Sequence, residues 1–232
     1  MRKAVFMKIT DIHSHTYFSA CGADKHEDII EAAINGGIEV FGICDHCYGI
    51  GDRREEYCRI IYEMKEKYKD RIKLLCGIEI ATVPGLGVYD PENLLPDFEY
   101  CLIEHIDRPE STVGEDIFEY VKRFSCKTGI AHTDLISMAR SKGDDPTEFL
   151  RKFAEADIFW EMNVNYDSIH GFNEHGYVRD FFENPETQKI VRDSQIKLTV
   201  GFDGHRVYDY APERVRTMNE FIANNGFNVQ EF

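Results

Sequence analysis

The feature that most constrains this chain is where its histidines fall, which is at the ends of apolar runs. Met7–Ile12 runs into His13-Ser14-His15, and Ile196–Phe202 runs into Asp203-Gly204-His205. Residues i and i+2 of a strand point to the same side, so each pair projects two ligand-type side chains in one direction from a strand end. Between these pairs, Asp45-His46, Gly77-Ile78-Glu79, His105 and Ala131-His132 each close a further apolar run. Six of the nine histidines thus stand at strand exits. Core packing explains such a distribution poorly, whereas a multi-metal site assembled from many strands explains it directly.

Strand-like and helix-like stretches alternate along the sequence. Strands are expected at Met7–His13, Val40–Cys44, Ile72–Ile80, Tyr100–His105, Gly129–His132, Ile158–Asn163 and Ile196–Asp203. Helices are expected at Glu27–Asn35, Arg54–Tyr68, Glu115–Phe124, Pro146–Ala156, Val178–Ser194 and Pro212–Ala223. Gly36-Gly37 closes the first helix as a C′ glycine does, and Asp145-Pro146 opens another with a capping carboxylate and a proline at the first helical position. The alternation predicts an α/β fold, a parallel sheet with helices outside it. Seven strands point to a barrel, closed or nearly so. In such barrels the reactive groups gather at the C-terminal strand ends, where every residue named above falls. The length, 232 residues, suits a single domain over 1–232, and no repeat, low-complexity tract or linker divides it.

Composition narrows the function. A formal net charge of -15 argues against a protein that embraces a nucleic-acid backbone. No run of 18 or more apolar residues suggests a membrane span. The start, Met1-Arg2-Lys3-Ala4-Val5-Phe6, lacks the apolar region of a signal peptide, so a cytoplasmic protein is expected. Seven scattered cysteines, an odd number, fit a reducing compartment better than a disulfide framework. Cys44-Asp45-His46-Cys47 matches C-x-x-C by count, but His46 has the better explanation as a strand-exit ligand.

Imidazole and carboxylate are the usual ligands of zinc and its neighbours. Six histidines with Glu79 and Asp203 exceed what one tetrahedral ion uses, which predicts two or three divalent ions, zinc first, with manganese or iron as alternatives. Such a cluster lowers the pKa of a bound water and supplies hydroxide at neutral pH. The ordered motifs Asp11-Ile12-His13-Ser14-His15-Thr16, Ile43-Cys44-Asp45-His46, Gly77-Ile78-Glu79, His105, Ala131-His132 and Gly201-Phe202-Asp203-Gly204-His205 resemble the PHP (polymerase and histidinol phosphatase) family over nearly the whole chain. The resemblance implies a distorted (β/α)7 barrel with a two- or three-metal site. It implies His13, His15, Glu79 and Asp203 around one ion, Glu79, His105 and His132 around a second, and His46 with His205 at a third. The family usually places a His or Asp some residues after H-x-H as a further third-site ligand. Here Cys21, Asp24 and His26 are the candidates: spacing favours Cys21, residue chemistry favours Asp24 or His26.

Among family activities, hydrolysis of a small phosphorylated metabolite is what a chain of this size most resembles. Arg53, Arg108, Arg140, Lys142 and Arg206 are expected in loops on the active face. Arg206, next to His205, is the expected phosphate clamp, since a guanidinium binds phosphate bidentately; a salt bridge to Asp209 or Glu213 is its bland alternative. Arg140 and Asn163 are further substrate-binding candidates. Asp45 and Asp134, each near a ligand histidine, are candidates for supporting that ligand or for protonating the leaving group. His170 and His175 are expected to face solvent or shape the pocket, and Tyr48, Tyr89, Tyr166 and Tyr208 to line it or pack its loops. Three other readings compete: a nuclease acting on nucleic-acid ends, an amidohydrolase-like enzyme, and a metal-binding module without catalysis.

Overall fold

The computed structural model describes residues 8–86, 98–113 and 117–232. Its strands are β1 (Thr10–Asp11), β2 (Val40–His46), β3 (Lys73–Ala81), β4 (Tyr100–Glu104), β5 (Lys127–Ile130), β6 (Phe159–Asn163) and β7 (Leu198–Gly201). They pair in chain order, every pair parallel. The sheet closes between its edges: Ile12 N donates to Val200 O at 3.0 Å, Asp203 N to His13 O at 2.7 Å and His15 N to Gly204 O at 2.8 Å. The result is a distorted (β/α)7 barrel, as the alternation predicts.

The helices are α1 (His26–Asn35), α2 (Cys47–Ile50), α3 (Arg54–Tyr68), α4 (Ile117–Val121), α5 (Leu135–Lys142), α6 (Pro146–Glu155), α7 (Gly176–Glu183), α8 (Pro185–Ser194) and α9 (Pro212–Asn224). One expected helix, Val178–Ser194, is two. Pro185 has no N–H to continue the ladder, so Asn184 takes an extended conformation and its side chain accepts from Glu186 N at 2.9 Å, starting α8 afresh. Helix α5 is not among the expected elements; it places Arg140 and Lys142 on a helix rather than in a loop. The first strand is shorter than expected because Ile12–His15 pair across the barrel closure instead. Met7, Glu115 and Asp116 of the expected elements, most of the loop Val83–Asn93, and Tyr89 lie outside the described residues.

Two apolar regions hold these elements. The larger lies between strands and helices and includes Ile43, Ile78, Ile103, Ile130, Trp160 and Phe202, all buried. The smaller fills the barrel interior with Ile12, Val40, Cys44, Leu75, Tyr100, Leu102, Ala131 and Phe159, and Phe232 packs against it. Strands covered on both faces read as continuous apolar runs. With the interior plugged by side chains, polar groups can converge only at the rim.

Candidate metal centre

At the C-terminal rim Glu79 is the hub. Its carboxylate is fully buried, with Oε1 3.3 Å from His13 Nε2 and 3.0 Å from His132 Nε2, and Oε2 2.8 Å from His46 Nδ1 and 3.5 Å from His15 Nε2. Asp203 Oδ1 stands 3.0 Å from His15 Nε2, 3.6 Å from His13 Nε2 and 3.7 Å from His205 Nδ1. Glu104 reaches His46 Nδ1 at 3.3 Å, His105 Nδ1 at 3.1 Å and His132 Nε2 at 3.8 Å. Side chains 188 residues apart in the chain, His15 and Asp203, thus touch.

Local backbone geometry aims several of these groups. His105, His132 and Asp203 have φ of 65°, 20° and 57°. Non-glycine residues reach that region at a cost on the order of 1–3 kcal/mol each, and such strain concentrates at functional sites. It has a visible effect at His132. Ala131 already faces the barrel interior, so regular alternation would send residue 132 outward, yet its imidazole meets Glu79 inside.

A cation fits this arrangement on the evidence of its unpartnered atoms. Buried His13 Nε2, His46 Nδ1, Glu79 Oε2, Glu104 Oε1, His105 Nδ1 and Asp167 Oδ2 face imidazole or carboxylate atoms at 2.8–3.6 Å, yet none of them makes a hydrogen bond. Buried polar groups are normally hydrogen-bonded, so this many unbonded donor atoms at one barrel rim fit a shared cation. His46, Glu79 and Glu104 offer ligand atoms within 4.8 Å of one another, as do His13, His15 and Asp203, then Asp167, His170 and His205, and finally His15, Cys21, His46 and His205. The electrostatics agree. Burial opposes protonation of His132 and His205, but Glu79 and Asp203 respectively outweigh it, raising the two imidazoles to about 9 and about 10. Burial would push Glu79 up, yet His13 and His46 hold it well below the usual carboxylate range. Burial would likewise raise Asp203, but His13 and His205 keep it low. The carboxylates therefore favour positive charge at the rim, carried by imidazole protons or by a cation.

The other expected site residues are held by contacts of their own. Asp45 is fully buried and its oxygens accept from Thr16 N, Thr16 Oγ1, Ser19 N and Ser19 Oγ at 2.6–3.0 Å. It builds the loop after His15: Oδ1 accepts three of these bonds and Oδ2 one. Asp134 caps α5, accepting from Ser137 N at 2.8 Å and Ser137 Oγ at 2.6 Å. With Arg140 it lines a separate cavity beside Trp160 and Asp180. Arg206 does not enter the centre: its Nη1 donates to Cys21 O at 2.7 Å and His205 O at 3.0 Å, tying two loops together. Asn163 is fully buried and donates to Glu161 and Asp203. Asp24 accepts from Val207 N at 2.7 Å. His26 is buried edge-on against Tyr17 and Phe18. Of the three third-site candidates, only Cys21 reaches the cluster.

Sequence reasoning missed Glu104, Glu161 and Asp167, whereas His170, expected to face solvent or shape the pocket, lines the cavity. Glu161 accepts from His13 Nδ1 at 2.7 Å and from the His132 N–H at 3.0 Å, setting two ligands at once. Its signal was available, a lone carboxylate inside the apolar strand Phe159–Asn163. Asp167, buried, receives His170 Nδ1 at 2.7 Å, and the other ring nitrogen stands 3.6 Å from Asp203 Oδ2. Nothing in the loop's composition marked Asp167 as the partner of His170.

These groups open onto a cavity of about 420 Å³, lined by His46, Glu79, Glu104, His132, Asp203 and His205 on its floor, with Arg108 and His170 among its walls. His105 and His175 also line it. Fold and site together define a TIM-like parallel barrel with a polar, ligand-rich centre at its C-terminal rim. The chain belongs to the PHP domain family, whose sequence profile matches residues 11–229. Histidinol phosphate phosphatase from Lactococcus lactis, solved with zinc, L-histidinol and phosphate, superposes with a TM-score of 0.59 at 16% identity, covering 95% of this chain and 94% of that one. A provisionally named histidinol phosphatase from Listeria monocytogenes gives 0.55 at 17% identity, covering 87% of this chain and 97% of its own. A search of the curated proteins finds no match to this sequence. Among the described residues, no helix is long and apolar enough to cross a membrane.

Proposed function

We propose that this protein is a metal-dependent phosphoesterase that hydrolyses a small phosphate monoester. The observation that carries the reading is the convergence of orphaned imidazole and carboxylate atoms on one cavity. His13, His15, Glu79 and Asp203 would hold one divalent cation, zinc first by donor chemistry, and Glu79, Glu104 and His132 a second, with His105 beside them. When bound, such ions supply Lewis acidity toward phosphoryl oxygen and acidify water.

The chain's own residues do the rest. Among the described residues lining the cavity, Arg108 is the one arginine or lysine, and its guanidinium binds the non-bridging phosphoryl oxygens. As a water oxygen bonds to phosphorus, the ester P–O bond breaks and the departing alkoxide needs a proton. His170, held by Asp167 at the cavity wall, is placed to give it. Glu161 and Asn163 keep His13 and Asp203 in register throughout. The Lactococcus neighbour's phosphate and L-histidinol support a small phosphorylated metabolite as substrate. The net charge of -15 weighs against a nucleic-acid substrate.

The test is a panel of phosphomonoesters offered to protein loaded with zinc or manganese, with Glu79→Ala as the control. Turnover that the control loses is expected. Full metal occupancy without turnover of any ester would overturn the reading.

A further inference from the structure

We infer that Cys21 supplies a thiolate to a third cation site, shared with His46 and His205, which selects thiophilic divalent metals over magnesium and manganese. The inference rests on the functional reading above in taking the rim as a metal centre, and it concerns a ligand that separates this site from the carboxylate-rich pair.

Four observations carry it. Cys21 Sγ and the ligand nitrogens of His15, His46 and His205 lie within 4.8 Å of one another. His205 Nδ1 is already occupied, 2.8 Å from Asp203 O, which leaves Nε2 as its ligand atom. His15 stacks on both His46 and His205, with ring centroids 4.5 and 4.4 Å away, but its Nε2 is engaged with Asp203. Two imidazoles and one thiolate remain, a three-donor set with one position open, which is the pattern of catalytic zinc sites.

The loop that carries the thiol is built, not incidental. Asp45 gathers Thr16 and Ser19, and Gly22 N donates to Ser19 O at 3.2 Å. A Cβ at Gly22 would lie 2.1 Å from Thr16 O, so only glycine lets the chain fold back this tightly. Arg206 then grips the carbonyl of Cys21 itself at 2.7 Å. The competing donors are committed elsewhere, Asp24 to the Val207 N–H and His26 to the apolar layer under Tyr17 and Phe18. A soft sulfur donor favours zinc, whereas magnesium and manganese prefer oxygen.

Cobalt(II) titration of the metal-free full-length protein tests this without an activity assay. A near-ultraviolet thiolate-to-cobalt charge-transfer band is expected in the wild type and absent from Cys21→Ser, which should bind one equivalent fewer of zinc or bind it at least tenfold more weakly. X-ray absorption on the zinc-loaded wild type provides a readout independent of the variant's folding, since a sulfur shell at about 2.3 Å is distinguishable from nitrogen and oxygen. Cobalt bound with no charge transfer, or zinc with no sulfur shell, overturns the thiolate and leaves the phosphoesterase reading standing. Binding of no cobalt at all overturns both. Charge transfer in a protein that hydrolyses no ester supports Cys21 and removes the proposed activity.

Discussion

Replacing Glu161 by Gln tests whether the rim is a metal centre or merely a buried polar cluster. One carboxylate oxygen accepts from His13 Nδ1 at 2.7 Å, which turns Nε2 toward Glu79 and Asp203 as the atom free to ligate. The other accepts the His132 N–H at 3.0 Å. Glutamine keeps the volume but has one acceptor. If its oxygen turns to His13, the amide N–H meets the His132 N–H, donor against donor. If its nitrogen turns there, His13 must carry its proton on Nε2 and cannot ligate. The side chain fills the space left by Gly201, where a Cβ would lie 2.0 Å from Glu161 Oε1, so the amide stays between the same partners. Loss of such a supporting contact weakens metal binding about 10–100-fold. At saturating metal that removes roughly 1.4–2.7 kcal/mol of metal-linked stability. With about 2–4 °C per kcal/mol for a chain of this length, the rise in Tm on adding zinc should shrink by roughly 3–11 °C. Thermal unfolding of both proteins, chelated and zinc-loaded, measures it. An equal zinc-induced rise in wild type and variant would refute the assignment of Glu161 and His13 to a metal site.

Metal binding should also release protons near neutral pH. In the ion-free protein His132 and His205 stay protonated up to about 9 and about 10, so a cation must displace those protons and its affinity should climb as pH rises toward those values. Calorimetry in two buffers of different ionisation enthalpy measures the release, and none near pH 7 would contradict the proposed ligands. Arg108→Ala should lower kcat/KM roughly ten- to hundredfold if its guanidinium grips the phosphoryl group, while zinc stoichiometry is unchanged. Unaltered kinetics would remove Arg108 from the site. Asp134→Ala should cost about 0.5–2 kcal/mol of stability through the lost α5 cap and leave kcat unaffected; a large loss of rate would instead give Asp134 a part in catalysis.

The strands and the side of the barrel that carries the chemistry were legible in the sequence. Apolar runs that end in His or in a carboxylate identify both a strand and its C-terminal end, because a strand buried on both faces admits a ligand only where the ladder stops. What sequence reasoning could not order were the supporting contacts. Asp45 and Asp134 occupy similar sequence contexts beside a histidine, yet one gathers a loop and the other caps a helix. Arg206 follows a candidate ligand but turns away to Cys21 and His205 carbonyls, and Glu161 reaches His13 across 148 residues.

By itself the sequence determined the barrel and the rim where His13, Glu79, His132 and Asp203 emerge, since period and burial are properties of each segment alone. Only the tertiary structure decided which donors meet. It brought Cys21, not Asp24 or His26, to His46 and His205, and set Glu104 beside Glu79. The physical reason is that distance between side chains depends on how strands separated by tens of residues register at the rim, and on loops whose hydrogen bonds are made with partners far away in the chain.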